Sequence, residues 1–145
     1  MTAELTPVVD DPDTSGYWQA AQGGALAIQL CSKCHQPIHL PRPQCPRCGS
    51  TDTCWREVEP AATVYSWAVV RHGVHPAFRV PYTLVLVELR QYPQVRLLGR
   101  LDGDPDLVEG QRLRIRFDHT ATGIALPQWE PVPHHKGEKS NDQSA

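Results

Sequence analysis

The feature that most constrains this chain is a set of four cysteines arranged as two C-x-x-C pairs. The pairs are Cys31 with Cys34 and Cys45 with Cys48, and ten residues separate them. A tetrahedral metal site needs four thiolates at about 2.3 Å from the ion, and a C-x-x-C turn delivers two of them from one tight knuckle. The spacing therefore predicts a zinc ribbon with these four cysteines as ligands. Such a closed site leaves no open coordination position, so we expect the metal to hold the fold rather than to catalyse a reaction.

The residues around the second pair have the turn chemistry of a metal knuckle. Pro46 presets φ for the turn, and Gly49 can adopt the positive φ that lets backbone N–H groups face the sulfurs. In the first knuckle, His35 stands where glycine would be the easier choice. Histidine is among the residues that tolerate the left-handed conformation, so the first pair is still compatible with a metal knuckle.

Other uses of the cysteines fit the sequence less well. A disulfide framework belongs to secreted proteins, and residues 1–7 lack the basic and apolar parts of a signal peptide, so we expect a cytoplasmic protein with reduced thiols. A redox C-x-x-C would sit beside a βαβ pattern, and two copies would be needless. Iron in place of zinc stays open, because tetrahedral sulfur suits both metals. The fifth cysteine, Cys54, is interpreted as a half-buried small hydrophobe.

Composition limits the size and the partners of the fold. The chain has 145 residues, of which 40% are hydrophobic and 7% aromatic. This is enough for a modest core, whose stability a bound metal would usefully increase. The net charge is −2 and the pI about 6.4, which argues against a general nucleic-acid binder. No apolar run approaches the ~20 residues of a membrane-spanning helix.

The first segment, residues 1–24, is predicted to be a lead-in followed by one short helix. Asp13 or Thr14 can cap the start of this helix, and a Gly-Gly pair at 23–24 ends it. Tyr17 and Trp18, together with Ala21, form one apolar side. Two interpretations stay open: this side packs on its own chain, or it docks onto a partner or ligand.

The remaining chain predicts a mostly β protein: a ribbon over 25–58, a barrel over 59–131 and a disordered tail over 132–145. In the ribbon, 25–30 is a strand and 38–43 a proline-stiffened hairpin tip. The barrel has five predicted strands, at 62–71, 81–89, 95–101, 111–119 and 123–129. The fourth alternates apolar residues with arginines, and 83–87 is apolar on both faces, as in a central strand. Five antiparallel strands of this length fit a Greek-key barrel of the OB type.

The sequence contains no catalytic signature. G-x-S-x-G, H-E-x-x-H and phosphate-binding glycine loops are all missing from it. One loop, residues 71–81, combines cations with an aromatic ring, a mixture that can grip a phosphate and stack on a flat ring; its members are Arg71, His72, His75, Phe78 and Arg79. An ordinary solvated loop is the alternative. The stripe of Arg112, Arg114 and Arg116 has the same two interpretations, and one charged face is normal for an outer strand.

Several of these stretches together resemble a known family. They are Tyr17 with Trp18, the four cysteines, LPRP at 40–43, CPxCGS at 45–50, TVYSW at 63–67, PY at 81–82, LLGRL at 97–101 and LRIRF at 113–117. This combination, which covers about residues 13–130, resembles the acyl-CoA-associated zinc-ribbon/OB-fold family, long catalogued as a domain of unknown function. The chain departs from the family pattern at His35 and at the Ala-Ala pair 61–62, and neither departure touches the four cysteines.

The resemblance implies an N-terminal helical segment, a rubredoxin-like zinc ribbon and a C-terminal OB barrel. It also implies a function, since members are companions of thiolase-fold enzymes of the lipid-transfer-protein type that act on acyl-CoA thioesters. Some are subunits of aldolases that cleave steroid side-chain CoA esters. By this analogy the chain is a non-catalytic accessory subunit in a hetero-oligomer, and Tyr17, Trp18 and the 71–81 loop are candidate contacts to the partner or to CoA.

The alternative function is a free-standing OB-fold binding module for acyl-CoA or single-stranded nucleic acid. Tyr65 and Trp67 with the arginine stripe would supply a weak version of the required stacking and positive charge.

Overall fold

The computed structural model describes residues 5–133, which form one short helix and eight strands in two antiparallel sheets. The elements are α1 (Ser15–Gln22), β1 (Leu26–Cys31), β2 (Pro37–Ile38), β3 (Thr53–Val58), β4 (Ala61–Val70), β5 (Tyr82–Leu89), β6 (Arg96–Asp102), β7 (Arg112–His119) and β8 (Ala125–Pro131). The mostly β fold with one short helix is confirmed. No helix in 5–133 has the length and apolarity that crossing a membrane requires.

The first sheet is the ribbon and has the strand order β2-β1-β3. β1 pairs with β3 along its whole length, from Leu26 opposite Val58 to Cys31 opposite Thr53. β2 adds only two pairs at the end of β1 that precedes the first knuckle. Every residue of β1 is buried, because it is the central strand and α1 packs against it. Cys31, the last residue of β1, is therefore held by a strand that is buried along its whole length.

The second sheet contains the five strands that the sequence predicted, each within one or two residues of its predicted ends. Its order is β6-β5-β4-β7-β8, and its two outer strands approach each other. The backbone N–H of Arg100 on β6 donates a 2.9 Å hydrogen bond to Oε1 of Gln128 on β8. At Gly99, a Cβ would lie 2.4 Å from the Trp129 ring, so only glycine allows β8 to come this close. The sheet thus curls toward the barrel expected of an OB fold.

Burial along the strands follows the predicted alternation. In β7, Leu113 is buried and the arginines are exposed, while Ile115 and Phe117 are half-buried. In β5, one face is fully buried. The prediction that 83–87 is covered on both sides holds only in part, because Leu84 and Leu86 on the other face are half-buried and line cavities.

The two sheets share one apolar core. Leu26, Ile28 and Leu30 from β1 belong to the same buried cluster as Val85 and Trp129 from the second sheet. The ribbon is therefore supported by the barrel strands as well as by its metal site.

Helix α1 begins and ends where the sequence predicts, but it begins without a side-chain cap. Thr14 occupies the N-cap position and its side chain makes no capping hydrogen bond. Instead, the carbonyl of Asp11 accepts hydrogen bonds from the N–H groups of Thr14 and Ser15. Gly23 closes the helix, and Gly24 follows with a φ of 79°. A backbone turn therefore replaces the predicted cap.

Of the predicted tail, all but residues 132 and 133 lie outside the described residues, as do residues 1–4. Val132 continues the strand pairing, because its N–H donates a 3.1 Å hydrogen bond to the carbonyl of Arg112.

Replacement of Gly16 by alanine is expected to destabilise the protein by about 1–3 kcal/mol, the usual cost of overpacking. A Cβ at this position would lie 2.2 Å from the Trp55 ring, so α1 must move away from β3. The matched control is Gly23→Ala, where no neighbour lies closer than 3.4 Å to the new Cβ. Urea unfolding of both variants measures the difference. Equal free energies of unfolding in the two variants would show that α1 is not packed closely against the Trp55 ring.

Candidate functional site

The four predicted cysteines converge on one point. Their Sγ atoms all lie within 4.8 Å of one another. Cys31 and Cys48 are 3.6 Å apart at sulfur, and Cys34 and Cys45 are 3.7 Å apart. Four sulfurs at the corners of a tetrahedron with 2.3 Å metal bonds would be separated by about 3.8 Å. The donor set therefore fits a tetrahedral metal ion.

The two knuckles have matching backbone geometry. In the first, the N–H of His35 donates a 2.9 Å hydrogen bond to the carbonyl of Cys31, and in the second Gly49 does the same to Cys45. His35 has a φ of 58° and Gly49 a φ of 73°. The prediction that histidine takes the left-handed conformation of the knuckle glycine holds in the structure.

The knuckle amides favour the thiolate forms that bind metal. Backbone N–H donation, first from Cys34, lowers the pKa of Cys31 to about 6, against the opposing effect of burial. The N–H of Cys48 likewise lowers the pKa of Cys45. At Cys34 the N–H of Gln36 lowers the pKa, but burial and the neighbouring sulfurs outweigh it and raise the value to about 11. A coordinated cation would remove this obstacle, because its charge deprotonates a coordinating thiol.

Cys54 lies outside the metal site. Its side chain is half-buried and packs against the shared apolar core, as the sequence predicted for a small hydrophobe.

The aromatic pair on α1 packs on its own chain and also faces open space. Tyr17 and Trp18 meet edge to face, with 5.0 Å between ring centroids. Both are half-buried; Tyr17 packs against the core, and burial raises its pKa to about 12. The two rings line two cavities, of about 560 and 620 Å³, and Leu98 on β6 lines both as well.

The first cavity, of about 560 Å³, brings together part of the 71–81 loop and the helix pair. Phe78 lines it together with Tyr82 and Arg100. The Phe78 ring lies 6.0 Å from the Tyr82 ring and 5.8 Å from the Arg100 guanidinium carbon. His75 contacts Phe78 edge to face at 6.2 Å. The lining of this cavity therefore combines aromatic rings with Arg100, which is paired with Asp102 at 3.5 Å, and with the carboxylate of Asp118.

The other predicted loop residues lie elsewhere. Arg71 is exposed and forms an ion pair with Asp104. His72 and Arg79 are also exposed, and Arg79 lines a separate shallow depression together with His75 and Phe78. The structure thus brings Phe78 to Tyr17 and Trp18, and it does not place Arg71, His72 or Arg79 in that cavity.

The second cavity, of about 620 Å³, lies between the ribbon tip, α1 and the barrel, and its other lining residues were missed by the sequence analysis. They include His39 and Leu40 from the tip, Trp55 from β3 and Arg96 from β6. The pKa of His39 is lowered, mainly by burial and despite a hydrogen bond to the Arg96 backbone. The ribbon tip and β6 are far apart in the chain, so no local pattern predicts that they meet. The one local signal is apolar Leu98, which stands between Arg96 and Arg100 on the same face of β6.

The arginine stripe on β7 is largely neutralised. Nε of Arg114 lies 2.7 Å from a Glu130 oxygen, and Nε of Arg116 lies 2.7 Å from an Asp118 oxygen. These cross-strand and local pairs match the interpretation of an ordinary solvated strand face for two of the three arginines, whereas Arg112 is exposed and has no ion pair within residues 5–133.

Two family models match this chain in adjacent segments. Residues 18–53 match "ChsH2, rubredoxin-like zinc ribbon domain", and residues 55–118 match "ChsH2, C-terminal OB-fold domain". A protein of Thermomonospora curvata described as a probable enoyl-CoA hydratase alpha subunit is 39% identical over 124 residues. That match covers 83% of this chain and 38% of the relative, so the chain spans well under half the length of that protein.

Two solved structures share the fold. A chain of the "Ltp2-ChsH2(DUF35) aldolase" superimposes with a TM-score of 0.78 at 32% identity, covering 86% of this chain and 98% of that one. A DUF35 protein of unknown function from Sulfolobus solfataricus has a TM-score of 0.56 at 17% identity, covering 72% and 78% of the respective chains, and shows similarity of fold alone. With its four-cysteine ribbon, its five-stranded barrel and these matches, the chain belongs to the ChsH2 family of DUF35 proteins.

Proposed function

We propose that this chain is a non-catalytic accessory subunit that binds and stabilises a thiolase-fold enzyme acting on acyl-CoA thioesters. One observation supports this proposal above the others. The chain is similar in fold and sequence to 98% of one chain of an Ltp2–ChsH2 aldolase. The chemistry of the cysteine centre agrees with it, because four thiolates close the coordination shell of a tetrahedral metal and leave no position for a substrate.

The reaction that we assign to the enzyme subunit is a retro-aldol cleavage of a CoA ester, with steroid side chains as the substrate class. The aldolase named in the structural match supports the reaction type. The relative from T. curvata is described as a hydratase of enoyl-CoA, which is also a CoA thioester. The steroid part of the proposal comes from the family resemblance.

Within the complex, the cavities beside α1 form part of the CoA entrance. Volumes of about 560 and 620 Å³ are in the range of small-molecule sites. At the first cavity Phe78 offers an aromatic face, which suits the flat base at the nucleotide end of CoA, and the guanidinium of Arg100 lies beside it, paired with Asp102. Tyr17, Trp18 and Leu98, which line both cavities, offer an apolar path for the pantetheine arm.

The metal that we assign to the cysteine site is zinc, held in a reducing, cytoplasmic setting. The tetrahedral separation of the sulfurs and the closed site support a structural zinc. Elemental analysis of the purified protein should find one zinc per chain. An iron content near one per chain, with the colour of iron–thiolate bonds, would contradict the assignment.

The function is tested by affinity purification from the native cell extract with mass spectrometry of what co-purifies. A thiolase-fold protein in near-equal amount is expected, and the pair should turn over an acyl-CoA that neither subunit processes alone. Turnover by this chain alone would contradict the accessory role. A solitary chain that binds oligonucleotides at low salt would instead support the free-standing binding module.

A further inference from the structure

The second cavity, between the ribbon tip, α1 and the barrel, is lined mainly by aromatic and aliphatic side chains. Trp18, Trp55 and Leu97 contribute to it from α1, β3 and β6. Two further lining residues are strongly exposed, Leu40 of the tip at 69% and Leu98 of β6 at 63%, so its opening is apolar as well. A volume of about 620 Å³ is in the range of sites that hold a ring system or a long acyl chain.

The charged and titratable side chains of this lining present no free charge to the cavity. No carboxylate of residues 5–133 lines it. The Arg96 guanidinium is already engaged, because it lies 2.9 Å from a carboxylate oxygen of Glu88 and 3.7 Å above the Tyr65 ring. Burial lowers the pKa of His39, so its ring is neutral at neutral pH. An ionised ligand group would therefore lose its hydration here without gaining a partner.

The hydrogen-bonding groups of the lining differ in whether they are already used. Gln29 uses both ends of its amide, since Oε1 accepts a 2.9 Å hydrogen bond from the N–H of Arg42 and Nε2 donates to Thr53. The Tyr17 hydroxyl makes no hydrogen bond to residues 5–133, and burial is the cause of its raised pKa. Its oxygen is not sealed in the core, because no fully buried side-chain oxygen of these residues lacks a partner. The hydroxyl therefore opens onto the cavities that the ring lines, as a proton donor without a protein acceptor.

The first cavity differs from the second in charge, although the two share a wall. Arg100 and Asp118 line the first cavity only, whereas Tyr17, Trp18 and Leu98 line both. A molecule with a polar end and an apolar end can therefore lie across the shared wall with each end in the matching cavity. An acyl-CoA thioester has these two ends.

We propose that the second cavity binds the acyl part of the thioester as an uncharged apolar group, and that Tyr17 donates a hydrogen bond to the thioester carbonyl. The proposal rests on the acyl-CoA function proposed above and assigns the two ends of the ligand to different cavities. The nucleotide end lies at Phe78 in the first cavity, the pantetheine arm crosses the shared wall, and the acyl group enters the second cavity.

Titration of the intact, metal-loaded chain with decanoyl-CoA and with acetyl-CoA tests the acyl site. The two ligands differ only in the length of the acyl chain, so decanoyl-CoA is expected to bind at least about tenfold more tightly. Quenching of tryptophan fluorescence reports binding, since Trp18 and Trp55 line the cavity. Equal affinities, or no binding of either ligand, would overturn the proposal. Neither result would touch the accessory role, which co-purification and turnover test separately.

A charge at the opening of the second cavity is expected to remove the preference for the long chain. Leu40→Asp should raise the Kd of decanoyl-CoA at least about tenfold and leave that of acetyl-CoA unchanged. The matched control is Val108→Asp, which changes a residue that is 58% exposed and lines neither cavity, and both Kd values should be unchanged. A wild-type preference for decanoyl-CoA in Leu40→Asp would contradict the proposal.

The role of Tyr17 has its own test, which also applies if Leu40→Asp folds poorly. Tyr17→Phe keeps the ring and is expected to weaken decanoyl-CoA binding about threefold to tenfold, the usual effect of one hydrogen bond. S-decyl-CoA, a thioether without the carbonyl, should bind equally well to the variant and to the wild-type chain. An equal loss for both ligands would show that Tyr17 acts through packing alone and would overturn the proposed hydrogen bond.

An enzyme subunit that fills the second cavity with its own side chains gives a different result. Its affinity for this chain is measured with and without saturating decanoyl-CoA. An unchanged or higher affinity supports a ligand site that stays open in the complex. A lower affinity would assign the cavity to the protein interface and overturn the proposal.

Discussion

Replacing Cys45 by serine is expected to abolish metal binding and to unfold the ribbon. Cys45 is buried, and its sulfur lies 3.7 Å from that of Cys34. The substitution therefore removes one of the four sulfur ligands from the inside of the fold. Structural zinc contributes about 10–16 kcal/mol in small metal-folded domains, which is comparable with the whole net stability of about 5–15 kcal/mol that proteins usually have. Metal analysis and thermal unfolding of the purified variant measure both effects.

The control for Cys45→Ser is Cys54→Ser. Cys54 is half-buried outside the metal site, so this variant should keep its metal and lose only a small part of its stability. Because β1 belongs to the shared core, we also expect loss of the metal to lower the stability of the barrel. Wild-type melting temperature and metal content in Cys45→Ser would rule out a structural metal site.

Replacing Trp129 by alanine is expected to destabilise the protein by about 3–5 kcal/mol, the usual cost of emptying a large aromatic site in a core. Trp129 is 2% exposed and fills the space over Gly99, where β8 meets β6. Without the indole ring, the contact that closes the barrel loses its largest side chain. Urea unfolding monitored by far-UV circular dichroism gives the free-energy difference.

A second tryptophan provides the matched control for this prediction. Trp67→Ala removes the same side chain from a site that is 41% exposed, so the stability of the isolated chain should change much less. Comparable losses in the two variants would contradict the view that Trp129 closes the barrel.

Local patterns in the sequence were enough to predict the four-cysteine cluster, the helix, β1 and the five strands of the second sheet, but they did not predict β3 as a strand. A C-x-x-C pair is a local turn, so the ligand set could be recognised from spacing, and His35 could be accepted because histidine tolerates a positive φ. The alternation in β7 reports which side of a strand meets the core, since successive side chains point to opposite faces. Residue type and period carry this information without knowledge of the rest of the fold.

Other features depend on contacts between distant parts of the chain. The pairing of Arg114 with Glu130 neutralised a stripe that looked positive in the sequence. The cavity beside α1 exists because the ribbon tip at His39 and Leu40 meets β6, more than fifty residues later in the chain. β7 pairs with β4 only at residues 61–63, which no pattern within either strand predicts.

The sequence by itself therefore determined which four cysteines come together, the helix and the barrel strands, and the family of this protein, because each is encoded in short-range spacing and in side-chain periodicity. Only the tertiary structure decided that both sheets share one core, which charges are neutralised, where cavities form and how far β7 pairs with β4. These properties follow from how strands separated in sequence approach and pair, and no local pattern specifies that.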